Sequence, residues 1–161
     1  MATPRSSSMF KSFECDLDER EQFNARTSWF DLSQVYGHNA KLNHQLRLFK
    51  DGLMKTGKTA NKKFSYLPYD TKSQCGPVGQ NCFHAGDDRV NQNLALVSMH
   101  TIFLRLHNTI AIELHKLNPE YNDEILFQEA RKMNIGIYTH IIYNELIPVI
   151  IGPEVSKYFN Y

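Results

Sequence analysis

Residues 94–161 contain two runs of apolar side chains at steps of three and four, and this spacing constrains the fold more than any other feature of the sequence. Each run predicts an amphipathic helix. We expect the first helix to stop at Asn118, because a residue that precedes proline avoids helical geometry. The apolar residues of the first run are Leu96, Met99, Phe103, Leu106, Ile110, Leu114 and Leu117.

The second helix is predicted to begin at Asn122-Asp123, where a short polar side chain caps the first turn and an acid suits the helix dipole. We expect it to run towards Leu146 and to end at Pro148. Two such helices are too apolar to stand alone, so they must pack on other parts of a mainly α fold. The spaced residues of the second run are Ile125, Gln128, Met133, Ile137 and Ile141.

The part of the chain before residue 94 is less regular. Residues 1–26 are polar and are predicted to be irregular, and residues 39–49 are predicted to form a short helix. Residues 50–93 are rich in Gly, Lys, Asn, Ser and Pro. A loop of that length inside a compact domain is usually either functional or disordered.

The composition excludes several classes of partner. There are 18 Lys and Arg against 17 Asp and Glu, so no basic excess exists to neutralise nucleic-acid phosphates or a membrane surface. The longest apolar run, 146–151, is interrupted by Pro148 and is far shorter than the roughly 18 residues of a membrane-spanning helix. Residues 1–16 lack the continuous apolar stretch of a signal peptide.

The first predicted helix carries the histidines His100 and His107 at a spacing of seven residues. His100 and His107 are two turns apart, about 10 Å along the axis, which is too far for both to bind one metal ion. We expect each to be a buried histidine of the helical core. A helical metal-binding protein built on the histidines remains an alternative.

Residues 82–92 combine a glycine turn, two acids and an arginine directly before the first helix. In one interpretation Asp87 and Asp88 cap the turn and Arg89 pairs with them. In the other, Arg89 is a fixed guanidinium that stabilises negative charge developing on an oxygen substrate.

Residues 27–33 carry oxygen atoms on alternate residues. The side chains of Thr27, Asp31 and Ser33 and the backbone carbonyl of Trp29 would suit Ca²⁺, which prefers hard oxygen ligands. The same residues are also typical of turns in which side chains bond their own backbone.

The three cysteines leave two readings. Cys75 and Cys82 lie in a segment rich in Gly, Pro, Gln and Asn that suits a small disulfide loop. Cys15 is then either a free thiol or the partner of a cysteine outside this chain.

Taken together, these segments resemble the animal haem peroxidase family over about residues 15–153. The resemblance implies one partial, mainly α haem peroxidase domain over residues 1–161, with long irregular loops. It implies haem and calcium as cofactors, and hydrogen peroxide and a small reducing substrate as partners. It also implies an extracellular or secretory location. The matching segments are, in chain order, 20–24, 27–37, 67–68, 82–89, 99–108, 117–119, 128–132 and 148–152.

The resemblance also assigns residues. Arg89 matches the catalytic distal arginine, and Cys75 and Cys82 match a small disulfide loop. Gln92 stands near haem, where many members carry a glutamate that esterifies a haem methyl; an amide cannot form that ester. The residues that match the calcium loop are Thr27, Trp29, Asp31 and Ser33.

The resemblance places the distal histidine and a further calcium-binding aspartate before Met1, and the proximal histidine that ligates haem iron beyond Gly152. No histidine of this chain matches either position. We therefore expect the isolated chain to lack peroxidase turnover. The alternative is a truncated, non-enzymatic product that acts at most as a binding fragment.

Overall fold

The computed structural model describes residues 8–9, 21–22, 24–57, 64–70 and 82–158. Its backbone is mainly helical, as the sequence predicts, with two short antiparallel strand pairs. No helix among the described residues is both long and apolar enough to cross a membrane. The strands are β1 (Ser8–Met9), β2 (Glu21–Gln22), β3 (Tyr69–Asp70) and β4 (Cys82–Phe83). The helices are α1 (Ser33–Tyr36), α2 (Ala40–Leu46), a 3-10 turn (Asp88–Asn91), α3 (Leu94–Leu117), α4 (Asp123–Ile141), a π-helical segment (Ile142–Leu146), α5 (Ile147–Ile151) and α6 (Pro153–Tyr158).

Helices α3 and α4 form an antiparallel hairpin, and asparagine side chains begin both of them. Asn93 accepts a hydrogen bond from the Leu96 N–H at 2.9 Å, and Asn122 accepts one from the Ile125 N–H at 3.0 Å. Each cap satisfies one of the backbone donors that a helix start leaves unpaired. The predicted cap at Asn122 and the predicted stop of the first helix before Asn118 are both confirmed.

The buried faces of the two helices differ from the predicted apolar stripes. On both helices the centre of the buried face lies roughly a quarter turn away from the centre of the predicted stripe. Met99, Leu117, Met133 and Ile137, all members of a stripe, are exposed. The buried residues of the hairpin are His100, Thr101, Phe103, Leu104, His107, Ala111, Leu126, Phe127, Ala130 and Asn134.

The expectation that the second helix ends at Pro148 is wrong. The helical path widens into the π-helical segment and continues through Pro148 to Ile151, and Gly152 with a φ of 82° ends it. A proline ring lacks an N–H and would crowd the carbonyl four residues earlier in a regular helix. The widened turn directly before α5 gives the ring room, so the proline lies in the first turn of α5 instead of ending α4.

The predicted helix over 39–49 is shorter than expected. Asn39 caps α2, and the helix ends at Leu46, so Phe49 lies beyond it in a turn and is half-exposed. The described part of 50–93 is not a uniform loop. Arg47 pairs with Met54 and Gly57 with Tyr66 in isolated antiparallel bridges, and β3 pairs with β4.

A buried hydrogen-bonded network joins α1 to both helices of the hairpin. The Tyr36 hydroxyl lies 2.9 Å from His107 Nδ1, and Asn134 Nδ2 donates to the same hydroxyl at 2.8 Å. His107 Nε2 lies 2.9 Å from the carbonyl oxygen of Gly52. Tyr36, His107 and Asn134 have no exposed surface, so these polar contacts are part of the core.

The partners of His107 fix its protonation state. The Gly52 carbonyl only accepts hydrogen bonds, so Nε2 must carry a proton and donate it. Burial, the largest influence, lowers the pKa of His107 from its ordinary 6.5 to about 4, so the ring is neutral near pH 7 and Nδ1 is an acceptor. Tyr36 therefore donates its proton to His107, and its oxygen accepts from Asn134.

Gly52 allows the turn before Met54 to lie directly on α4. Its φ of 70° favours glycine, and a Cβ there would lie 2.6 Å from Leu126 Cβ. The same turn is tied to the start of α4, where the Gly52 N–H donates to Asp123 at 2.8 Å. Arg47 is buried beside it and pairs with Asp123 at 2.8 Å and with Glu124 at 2.5 Å.

We predict that stability falls as the pH drops from about 6.5 to about 4. His107 binds a proton more readily in the unfolded chain than in the folded one. Protonation at low pH therefore favours the unfolded chain and lowers the free energy of unfolding. A pKa shift of this size corresponds to about 3 kcal/mol for a fully buried ring. Burial also lowers the pKa of His100, which adds to the loss in the same direction. Chemical denaturation at several pH values measures the free energy of unfolding.

His107→Gln should remove most of this pH dependence, because an amide still donates to Gly52 but does not titrate in this range. His44 is exposed, so His44→Gln is the matched control and should leave the slope unchanged. An unchanged slope in His107→Gln would show that the network is not the source.

Candidate functional site

The segment that carries Arg89 is a tight turn between β4 and α3. The Asn91 side chain joins the two ends of this turn. The Phe83 N–H donates to Asn91 Oδ1 and Asn91 Nδ2 donates to the Phe83 carbonyl, both at 2.8 Å. Asp87 caps the 3-10 turn by accepting the Arg89 N–H at 2.8 Å. The predicted cap at Asp87 is therefore present. It fixes the backbone position from which the Arg89 side chain extends.

The guanidinium of Arg89 is held by Asp87 in a two-point contact. Its Nε lies 2.9 Å from Asp87 Oδ1 and one terminal nitrogen lies 2.7 Å from Oδ2. Such paired contacts fix the plane of an arginine as well as its position. The Arg89 side chain is still 63% exposed, so the fixed guanidinium presents its other N–H donors to the surface.

Asp87 is a buried carboxylate whose negative charge is stabilised by Arg89 and Arg26. Burial raises the pKa of its carboxyl, but the hydrogen bonds and charge of Arg89, together with the charge of Arg26, outweigh burial and hold the pKa well below its ordinary value. Asp87 is therefore ionised at neutral pH. The two readings of Arg89 are compatible here, because the ion pair that caps the turn is also what orients the guanidinium.

Arg26 joins this turn to the segment in front of α1. Its Nε lies 3.4 Å from Asp87 Oδ2, and a terminal nitrogen contacts Asp88. Gly86 makes a second link, since a Cβ there would lie 2.2 Å from the Ser33 carbonyl oxygen and 2.3 Å from the Gly37 nitrogen. Only glycine lets the two backbones approach so closely.

The four residues predicted as calcium ligands place their oxygen atoms close together, with Thr27 Oγ1 at the centre. Thr27 Oγ1 lies 3.0 Å from Asp31 Oδ1, 3.2 Å from Ser33 Oγ and 3.4 Å from the carbonyl oxygen of Trp29. A hydroxyl has a single proton and cannot donate to all three. Adjacent ligands at about 2.4 Å from one Ca²⁺ lie about 3 Å apart, so the spacing fits oxygen ligands of a cation.

The segment that carries these oxygens packs against the helices through Phe30, whereas Trp29 is exposed to solvent. Phe30 packs edge-on against Tyr138 of α4 and Tyr143 of the π-helical segment, with ring centroids 6.5 and 5.8 Å apart. The Ser33 N–H donates to Asp31 Oδ1 at 2.9 Å, which begins α1. Trp29 is 82% exposed.

Gln92 lies at the end of the 3-10 turn, with its backbone N–H donating to the Arg89 carbonyl at 2.9 Å. Its side chain is exposed, as is Leu94 at the start of α3. Arg89, Gln92 and Leu94 are thus exposed within six residues of sequence, and they comprise a cation, an amide and an apolar side chain.

All seven histidines lie among the described residues, but of the three cysteines only Cys82 does. His100 and His107 are buried in the hairpin, and within the described residues no three His, Cys, Asp or Glu side chains come close enough to share a metal ion. Cys82 is buried and disulfide-bonded. Cys15 and Cys75 lie outside the described residues, so the pairing of Cys75 with Cys82 stays a prediction.

Two contributors to the site, Arg26 and Asn91, have no signature in the sequence, and a third, Gly86, has only a weak one. Arg26, Gly86 and Asn91 act through contacts with Asp87, α1 and Phe83, respectively. Gly86 alone gave a signal, as a glycine directly before two acids, but that pattern indicates only a turn. Nothing local in the sequence points to Arg26, which lies 61 residues from Asp87.

Comparison with known proteins places the chain in a family. The family model described as "Animal haem peroxidase" matches residues 1–161. The chain is 38% identical to chorion peroxidase of Drosophila melanogaster over 153 residues, which is 94% of this chain and 19% of that protein. It is 43% identical to a peroxidase of the same organism over 136 residues, 83% of this chain and 20% of that protein.

A solved structure gives the same result for the fold. Peroxidase A from Dictyostelium discoideum superimposes with a TM-score of 0.72 at 29% sequence identity, over 80% of this chain and 26% of that chain. The chain spans about a fifth of the length of the two Drosophila relatives. The mainly α fold and the resemblance drawn from the motifs are both confirmed, and the chain belongs to the animal haem peroxidase family.

Proposed function

We propose that this chain supplies the distal arginine and the calcium loop of a haem peroxidase that oxidises a small reducing substrate with hydrogen peroxide. Family membership supports the class of reaction. The observation that carries the proposal is the two-point contact between Asp87 and Arg89, which leaves a fixed and exposed guanidinium. Nothing observed in the described residues favours the alternative of a non-enzymatic binding fragment.

Arg89 suits a role in breaking the peroxide bond. Haem, when bound, supplies the iron at which the O–O bond is cleaved. Negative charge then builds on oxygen, and a guanidinium that is already oriented stabilises this charge without reorganising. The exposed side chains of Arg89, Gln92 and Leu94 have the chemistry to contact a flat, largely apolar group with polar substituents. Gln92 would contact such a group without an ester bond.

The convergence around Thr27 fits calcium. Asp31 supplies one negative charge, and the Thr27, Trp29 and Ser33 oxygens are neutral ligands. A bound Ca²⁺ would fix residues 27–33 against α1. The contacts of Arg26 and Gly86 would then hold the turn of Arg89 in place. The proposed ion is therefore a support for the position of Arg89.

The disulfide of Cys82 favours an oxidising compartment, because disulfides rarely persist in the cytosol. We therefore include an extracellular or secretory location in the proposal.

Arg89→Ala should slow the reaction with hydrogen peroxide by about 10²–10³, the usual effect of removing one preorganised donor. A suitable protein is a chimera in which this chain replaces the matching segment of the 43% identical Drosophila peroxidase. Haem content should change little, since Arg89 does not ligate iron. Arg89→Lys should recover part of the rate, because it keeps the charge but loses the planar donors. Stopped-flow absorbance measures the rate.

Arg26→Ala is the matched control, because it removes the other arginine on Asp87. It should lower the melting temperature and affect the peroxide rate much less than Arg89→Ala. A rate for Arg89→Ala within about twofold of the parent, with a lowered melting temperature, would show that Arg89 only caps the turn.

Calcium binding by the chain should be weak, with a dissociation constant of about 10⁻³ M, because a single carboxylate neutralises the ion. Trp29 is the only tryptophan, so terbium bound at this site should emit when tryptophan is excited. Calcium should displace it. Asp31→Asn keeps an oxygen that accepts from Ser33 but loses the charge, so the emission should disappear.

Glu120→Gln is the control for this loss, since Glu120 is exposed and lies after α3, far along the chain from the loop. Terbium emission that survives in Asp31→Asn would place the ion elsewhere. Micromolar calcium affinity in calorimetry would contradict a site with one carboxylate.

We also predict that Cys75 and Cys82 are bonded to each other in the oxidised chain and that Cys15 is free. Peptide mapping without reduction measures the pairing. A peptide that joins Cys15 to Cys82 would contradict both assignments.

A further inference from the structure

Tyr36 and His107 form a buried acid–base pair that the proposed role of Arg89 does not use. The Tyr36 hydroxyl donates to His107 Nδ1 at 2.9 Å, a distance over which a proton passes directly between two atoms. Neither side chain has exposed surface, so solvent does not compete for this proton. A phenol that is bonded to a buried base in this way can lose an electron and a proton together, because the imidazole takes up the proton.

The other hydrogen bonds of the pair are compatible with both positions of the proton. Before transfer, His107 Nε2 donates to the Gly52 carbonyl at 2.9 Å. The Tyr36 oxygen accepts from Asn134 Nδ2 at 2.8 Å. After transfer, His107 Nδ1 donates back to the Tyr36 oxygen, and both of the other bonds remain. The proton therefore moves along one hydrogen bond, and no side chain has to turn.

The charges around the pair keep the base free in the resting state. Burial, the largest influence, lowers the pKa of His107, and the charges of Arg47 and Arg131 lower it further, so the ring is neutral. Burial also raises the pKa of Tyr36, so the phenol keeps its proton until an electron is removed. Loss of an electron makes a phenol a far stronger acid than an imidazolium, so the proton then moves to His107 in spite of its lowered pKa.

Tyr36 also lies next to the turn that carries Arg89. A Cβ on Gly86 would lie 2.3 Å from the nitrogen of Gly37, which is the residue after Tyr36. Gly86 precedes Arg89 by three residues. A redox group that contacts Arg89 would therefore lie near Tyr36.

We propose that Tyr36 is a redox-active tyrosine, which gives one electron to the haem of the peroxidase after the haem has reacted with hydrogen peroxide, and that His107 is its proton acceptor. The O–H bond of Tyr36 breaks and an N–H bond forms at His107 Nδ1, which leaves a neutral tyrosyl radical and an imidazolium. An electron from the reducing substrate restores the phenol as the proton moves back. The proposal rests on the peroxidase function proposed above, which supplies the oxidant.

The test is an electron paramagnetic resonance spectrum of the haem-loaded Drosophila chimera, frozen after mixing with hydrogen peroxide in the absence of reducing substrate. The parent should show a tyrosyl radical. Tyr36→Phe should lose most of this signal, because its ring has no proton to transfer. His107→Gln should lose it too, because an amide accepts the hydrogen bond of Tyr36 but does not hold the proton at neutral pH.

Tyr143→Phe is the matched control, since Tyr143 is 43% exposed and phenylalanine keeps the ring that packs on Phe30. It should keep the parental signal. A signal that survives in Tyr36→Phe, or that is absent from a parent that reacts with peroxide, would overturn the proposal.

A variant that keeps the phenol covers the case in which Tyr36→Phe does not fold. In the chimera, 3-fluorotyrosine incorporated in place of Tyr36 should split the signal, because the fluorine nucleus couples to an electron spin on the same ring. An unsplit signal would place the radical on another residue and overturn the proposal.

The haem absorbance separates this proposal from the proposed role of Arg89. Tyr36→Phe should react with peroxide at the parental rate, whereas Arg89→Ala should react more slowly. A normal peroxide reaction without a radical on Tyr36 would contradict only the present proposal. A haem-loaded chimera that does not react with peroxide would contradict both.

Discussion

The hydroxyl of Tyr36 is the contact on which the arrangement of the described chain depends. It receives a hydrogen bond from Asn134 of α4 and gives one to His107 of α3, so a single group joins the N-terminal part to both long helices. All three side chains are fully buried, where an unmet donor or acceptor is costly. The network therefore selects one position of α1 on the hairpin, which apolar contacts alone would specify less sharply.

The position of α1 in turn sets the geometry of the candidate site. The segment proposed to bind calcium leads directly into α1, and the turn of Arg89 rests on α1 through Gly86. Asp87 then pairs with both Arg89 and Arg26. Two segments about 60 residues apart in sequence are thus held together by one buried carboxylate, and an ion bound at Thr27 would act on the arginine through it.

Local chemistry accounts for what the sequence predicts well. The caps at Asn122 and Asp87 depend on residues two or three positions away, and the oxygens of Thr27, Asp31 and Ser33 lie within seven residues. Contacts between distant residues were not predictable in this way. Asn134 is 98 residues from Tyr36, and neither residue type indicates a partner. Pro148 shows the same limit, because the π-helical widening that accommodates it is not encoded by a simple motif.

The mistaken choice of buried face has a physical cause in the same network. Spacing analysis finds the most apolar side of a helix, and the side of α3 that is buried includes His100, Thr101 and His107. Thr101 and His107 are tolerated in the core because hydrogen bonds compensate for their burial: Thr101 donates to the Val97 carbonyl, and His107 bonds Tyr36 and Gly52. The more apolar side of α3, which carries Met99 and Leu117, is therefore left more exposed than the side that carries this network.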